Sequence, residues 1–136
     1  MKNLSCNLLL TCDQTILSKD NKISLIGIFD QIFVPSIPTN HPKLSLVGIV
    51  IGDAYADHTL TVAITDPTGK KLFPDQNISI NLGVTGRSNL VADFINLPIT
   101  SAGLITFTLL SAKTELSKTI LTITQITPPT KNRVIN

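Results

Sequence analysis

Two histidines, His41 and His58, two cysteines, Cys6 and Cys12, and nine acidic residues are the groups in this chain with which proton transfer, nucleophilic attack or metal ligation could be built. Covalent catalysis needs a nucleophile, a base and an orienting group within hydrogen-bond reach of one another. His41 precedes Pro42 in an expected loop and His58 opens an expected strand, so each reads as an ordinary surface histidine. No serine lies in a glycine-flanked elbow, and no glycine-rich loop leads from a strand into a helix. Asp66 falls in Asp66-Pro67-Thr68-Gly69, where an aspartate is more economically a turn residue than an acid catalyst. The expectation is a protein that is not an enzyme and has no cofactor.

Cys6 and Cys12 share one apolar run. In a strand rising about 3.3 Å per residue they stand roughly 20 Å apart, too far to bond to each other or to share one metal ion. Free thiols agree with a reducing compartment. Leu8-Leu9-Leu10 after Lys2 is too short for a signal peptide, and no window reaches the ~18 apolar residues of a membrane span, so the expected location is cytoplasmic with no membrane insertion. A net charge of +2, with scattered charges, 4% aromatics and no Trp, offers neither the basic footprint nor the stacking platforms of a nucleic-acid binder.

The elements that position these groups are strands. The 18 Ile, 7 Val and 17 Thr are β-branched and prefer the pleated strand, while Glu115 is the only glutamate. The pattern predicts strands over Leu4–Cys12, Ile23–Val34 with a break near Asp30, Lys43–Ile51, His58–Thr65, Lys71–Val84 with a bulge near Pro74, Ser88–Leu97, Gly103–Ser111 and Thr114–Thr124. Leu60, Val62 and Ile64 alternate with threonines, as do Ile78, Ile80, Leu82 and Val84 with Ser79, Asn81 and Gly83, so each run turns one face inward. Asp66–Gly69 and Ala112-Lys113 read as tight hairpins. The expected fold is all-β: an antiparallel β-sandwich of about 7–9 strands, immunoglobulin-like or C2-like. It occupies one domain over residues 1–126, with a non-periodic tail over 127–136.

If successive strands alternate up and down, the loops Asp13–Lys22, Gly52–Asp57, Thr85–Arg87 and Ala112–Lys113 emerge at one end. That rim would hold Asp13, Asp20, Asp53 and Asp57, the candidates for a cation cage, along with Tyr55 and Arg87 for a sugar or lipid headgroup. Lys19, Lys22, Arg87 and Lys113 fall on the same rim and favour a solvated edge over a cage. Ile23–Phe29 and Lys43–Ile51 break the alternation, being apolar on both faces. Charged residues make up 15% of the chain, against about 25% in a typical domain. Some outer sheet surface is therefore covered, by the tail, by the loop Asp13–Lys22 or by a partner. The candidate partner residues are Val47, Ile49, Ile51, Ile26 and Ile28, and the expected partner is a second copy of the chain or another protein.

Cys12-Asp13, Lys22-Ile23-Ser24-Leu25-Ile26-Gly27-Ile28-Phe29-Asp30, Pro38 and His41-Pro42 together resemble a family of small uncharacterised bacterial proteins, a domain of unknown function with an expected β-sandwich fold. Asp66–Gly69 and Gly103 extend the likeness to about Thr124, although a tyrosine expected shortly after Gly103 is absent. The resemblance implies a β-sandwich in a bacterial cytoplasm and transfers no functional residue.

Overall fold

The computed structural model describes residues 4–20 and 22–126, and the expected tail over 127–136 lies outside them. Among the described residues there are nine strands and no helix: β1 Ser5–Leu17, β2 Ile23–Phe29, β3 Gln31–Val34, β4 Thr39–Ile51, β5 Asp57–Thr65, β6 Lys71–Asn81, β7 Arg87–Ile99, β8 Gly103–Ser111 and β9 Thr114–Gln125. They form a four-stranded sheet, ordered β2-β1-β4-β7, and a five-stranded sheet, ordered β3-β9-β8-β5-β6. Every pairing is antiparallel except that of β3 with β9.

The alternating residues close the core between the sheets. Leu44, Leu46, Leu90 and Phe94 come from one sheet, and Leu60, Val62, Ile64, Phe107, Leu109 and Leu121 from the other. Phe94 joins the layers, edge-on to Phe73 at 5.5 Å between ring centroids and tilted to Phe107 at 6.1 Å.

Both expected hairpins are present. Asp66 Oδ1 accepts hydrogen bonds from Thr68 N at 2.8 Å, Thr68 Oγ1 at 2.7 Å and Lys70 N at 2.9 Å, which hold its carboxyl below the usual carboxylate range. Ala112 and Lys113 both have positive φ, 48° and 72°, as a two-residue turn matched to strand twist requires. The β5–β6 ladder shifts register where Ile64 pairs with Phe73, next to Pro74, as expected.

The sequence expectation departs from the structure at β1 and β4. β1 continues through Asp13 to Leu17, so the first half of the expected loop Asp13–Lys22 is strand, and Ser18 N donates to Lys22 O across the turn that follows. β4 starts at Thr39 and carries His41 within it, opposite Leu97 of β7, instead of in a loop. Pro42 fits this strand because it falls at a position without a Cα partner.

Candidate interaction surface

The β1–β2 hairpin leaves the sheet as an arm. The β1–β4 ladder ends at Cys12–Ser45, while β1–β2 pairing runs on to Leu17–Ile23. Beyond that point the arm turns back across the outer face of its own sheet. Thr15, Leu17 and Ile23 line a cavity with Asn89 and Val91 of β7, and Leu17 borders the β6–β7 loop. The outward residues beneath it are consequently buried: Cys12 and Ser45 fully, and Val47 to 2% exposure. Ser45 donates its hydroxyl hydrogen bond to Asp93 Oδ1 at this site.

This corrects one sequence expectation. Val47 is not available to a partner, because the segment expected as the loop Asp13–Lys22 covers it, one of the covers anticipated above. Ile49 and Ile51 are half-buried, whereas Ile26 and Ile28 stand 47% and 61% exposed on the arm. Ile16, which the sequence reading placed in a loop, is exposed with them. The pairings Ile16–Ser24, Gln14–Ile26 and Cys12–Ile28 make the three isoleucines close neighbours on one face. A period-two reading of Gln14-Thr15-Ile16-Leu17 would have found it.

At the root of the arm, Asp13, Gly27, Phe29 and His41 line one cavity, together with Ile28, Gln31 and Ile32. Gly27 has φ 71°, a conformation that costs a residue with a side chain, and a Cβ there would run into the Asp13 carboxylate. The His41 ring lies 5.9 Å from that of Phe29. Burial pushes the His41 imidazole below its ordinary pKa, with the Asp13 charge pulling weakly the other way. His41 Nε2 and His58 Nε2 have no hydrogen-bond partner among the described residues. The root cavity therefore pairs a carboxylate with a neutral imidazole, but among the described residues no serine, threonine, cysteine or lysine lines it.

The expected aspartate rim does not assemble. The rim requires Ile23–Val34 to run as one strand, but the chain reverses at Asp30: Phe29 pairs with Thr11 in one sheet, and Asp30 O accepts from Thr122 N in the other. The extra reversal changes the up-down count. Asp13 sits at the arm root beside Gly27. Asp20 is held within its own turn by the Ser18 hydroxyl and by Lys22 at 3.5 Å. Asp53 O accepts from Ala56 N at 3.2 Å, and Asp57 Oδ1 accepts from Asn81 Nδ2 at 2.7 Å, so both serve the β4–β5 loop. Among the described residues no three His, Cys, Asp or Glu side chains converge. Tyr55 projects from this loop at 64% exposure, with φ 62°.

Burial raises the pKa of both thiols, Cys6 and Cys12, which leaves them protonated at neutral pH. No helix among the described residues is long and apolar enough to cross a membrane.

Among solved structures, the chain is similar in fold to a β-glucosidase from Listeria innocua, at 7% identity with a TM-score of 0.55, covering 93% of this chain and 16% of that one. It is also similar to the alkylpurine DNA glycosylase AlkC from Pseudomonas fluorescens, at 12% identity with a TM-score of 0.52, covering 89% and 30%. An immunoglobulin-like protein from Pseudomonas aeruginosa matches at 12% identity with a TM-score of 0.49, covering 89% and 96%. The chain thus spans a small part of the glucosidase and under a third of the glycosylase, and identities this low speak for the fold alone. No curated protein matches the chain in sequence. The architecture is an all-β sandwich of a four-stranded and a five-stranded sheet, and the match over residues 7–124 places the chain in the family of unknown function DUF6941.

Proposed function

We propose that this chain is a non-enzymatic protein-interaction module of a bacterial cytoplasm, associating through the outward face of the β1–β2 arm. The observation that carries the reading is the cluster Ile16, Ile26 and Ile28, exposed at 46%, 47% and 61%. Three neighbouring large aliphatic side chains left in water on the outward face of one hairpin mark an association surface better than singly scattered ones do. The root cavity supports the non-enzymatic part, since among the described residues no serine, threonine, cysteine or lysine lines it as a nucleophile beside the imidazole. Light scattering coupled to size-exclusion chromatography tests the reading. A mass above 14.7 kDa that falls to one chain in Ile26→Ser/Ile28→Ser is the expected result. One chain's mass at several hundred micromolar would remove the self-association basis.

The exposed Tyr55 supports a second reading, a ligand-binding end for a cation, sugar or lipid headgroup. With one tyrosine and no tryptophan, intrinsic fluorescence reports on Tyr55 directly. A titration with these ligands that leaves the emission unchanged would sink it.

A further inference from the structure

We infer that a second copy of the chain pairs antiparallel along the free edge of β2, with Ile26 on the two-fold axis. The inference rests on the interaction reading above and names its partner and register.

Among the described residues the sandwich has four sheet edges: β2 and β7 in one sheet, β3 and β6 in the other. An edge strand presents unpaired backbone groups, and proteins that stay apart usually blunt it with proline, charge, irregularity or brevity. Three of these edges are blunted. β7 carries Asp93, Pro98 and the positive-φ Asn96. β6 carries Lys71, Pro74 and Asp75 and is irregular near Pro74. β3 is four residues long. β2, Ile23-Ser24-Leu25-Ile26-Gly27-Ile28-Phe29, has neither proline nor charge; its one irregularity is Gly27 at φ 71°, and the register against β1 holds on both sides of it, at Gln14–Ile26 and Cys12–Ile28.

Charge then selects the register. In an antiparallel pair centred on Ile26, residue numbers across the axis are symmetric about 26. Ser24 faces the second copy's Ile28, and the flanking Lys22 faces the second copy's Asp30, once on each side of the axis. Both charged residues are exposed. Among the described residues the Lys22 ammonium otherwise makes one long surface contact, to Asp20, and Asp30 has no ion pair. A two-fold interface must be self-complementary, and this register gives an apolar centre closed by an opposite-charge pair at each end.

The test uses charge reversal and a cross-link on the full chain. Lys22→Asp and Asp30→Lys should each weaken dimerisation by about tenfold, since each turns both flanking pairs into like-charge pairs. The double variant should regain the wild-type dimer. Ile26→Cys should give a covalent dimer under mild oxidation, with the disulfide mapped to residue 26 of both copies. A dimer insensitive to the reversals and without that cross-link would overturn the register and leave the interaction reading intact. One chain's mass at every concentration would overturn both.

Discussion

Replacing Gly27 with alanine tests whether the arm root is as tightly built as its geometry indicates. Two costs arise there. A left-handed backbone at φ 71° strains any residue with a Cβ by about 1–2 kcal/mol. The new Cβ would also lie 2.9 Å from Asp13 Cγ and 3.1 Å from Asp13 Cβ, so the carboxylate must move. Together about 2–3 kcal/mol of destabilisation is expected, in the range of strained core substitutions. For a chain of this size that corresponds to a fall in melting temperature of about 6–15 °C. Gly69 supplies the control: its φ is 93°, but nothing lies within 4 Å of a Cβ there, so Gly69→Ala should show the backbone cost alone. In Asp13→Ala the carboxylate is gone and only the Cβ contact at 3.1 Å remains, so adding Gly27→Ala should then cost less, about 1–2 kcal/mol. Urea unfolding of the four variants at one protein concentration gives these numbers. If Gly27→Ala stays within about 0.5 kcal/mol of wild type, or costs as much without Asp13 as with it, the proposed packing of the arm root is wrong.

Three further outcomes follow from the same structure. Burial keeps His41 neutral in the folded state while the unfolded chain protonates near its ordinary value of about 6.5. The folded chain therefore binds fewer protons across that window, stability is lost as pH falls below about 6.5, and melting curves of His41→Gln should show a shallower acid limb than wild type. Cys12 lies fully buried beneath the arm whereas Cys6 is half-buried, so a thiol reagent should label Cys6 first in the native protein and both equally in urea. Calcium at millimolar levels should leave the melting temperature unchanged, because Asp13, Asp20, Asp53 and Asp57 do not converge; a rise of several degrees would restore the cation reading.

Local chemistry made most of the strands legible. Alternation found β5 and β8 almost to the residue, and the break at Asp30 was visible as an interruption in an otherwise continuous apolar run. Asp13-Gln14-Thr15 read as loop because polar residues there suggested solvent, yet they are strand residues of an arm that folds back over its own sheet and stays wet on its outer side. His41-Pro42 read as loop because proline rarely sits within a strand, whereas here its missing N–H falls where no partner is needed. The aspartate rim failed for a topological reason, since one unrecognised reversal at Asp30 changed the predicted end for every later loop. The meeting of Asp13, Gly27 and His41 depends on long-range pairings that no local pattern encodes.

The parallel pairing of β3 with β9 has a consequence for how the chain comes to be folded. Gln31 meets Thr122, and Val34 meets Gln125, so an early strand waits for the last one. The four-stranded sheet is likewise incomplete until β7 joins β4, through a register running from Thr39–Ile99 to Ile51–Arg87. Closing such distant contacts is entropically costly before they are rewarded, which slows folding. During synthesis the emerging chain must therefore carry Ile32, Phe33 and Val34 without their partner strand until residues beyond 120 have left the ribosome, and a chain halted before β9 would hold an open sheet edge for other nascent chains to find.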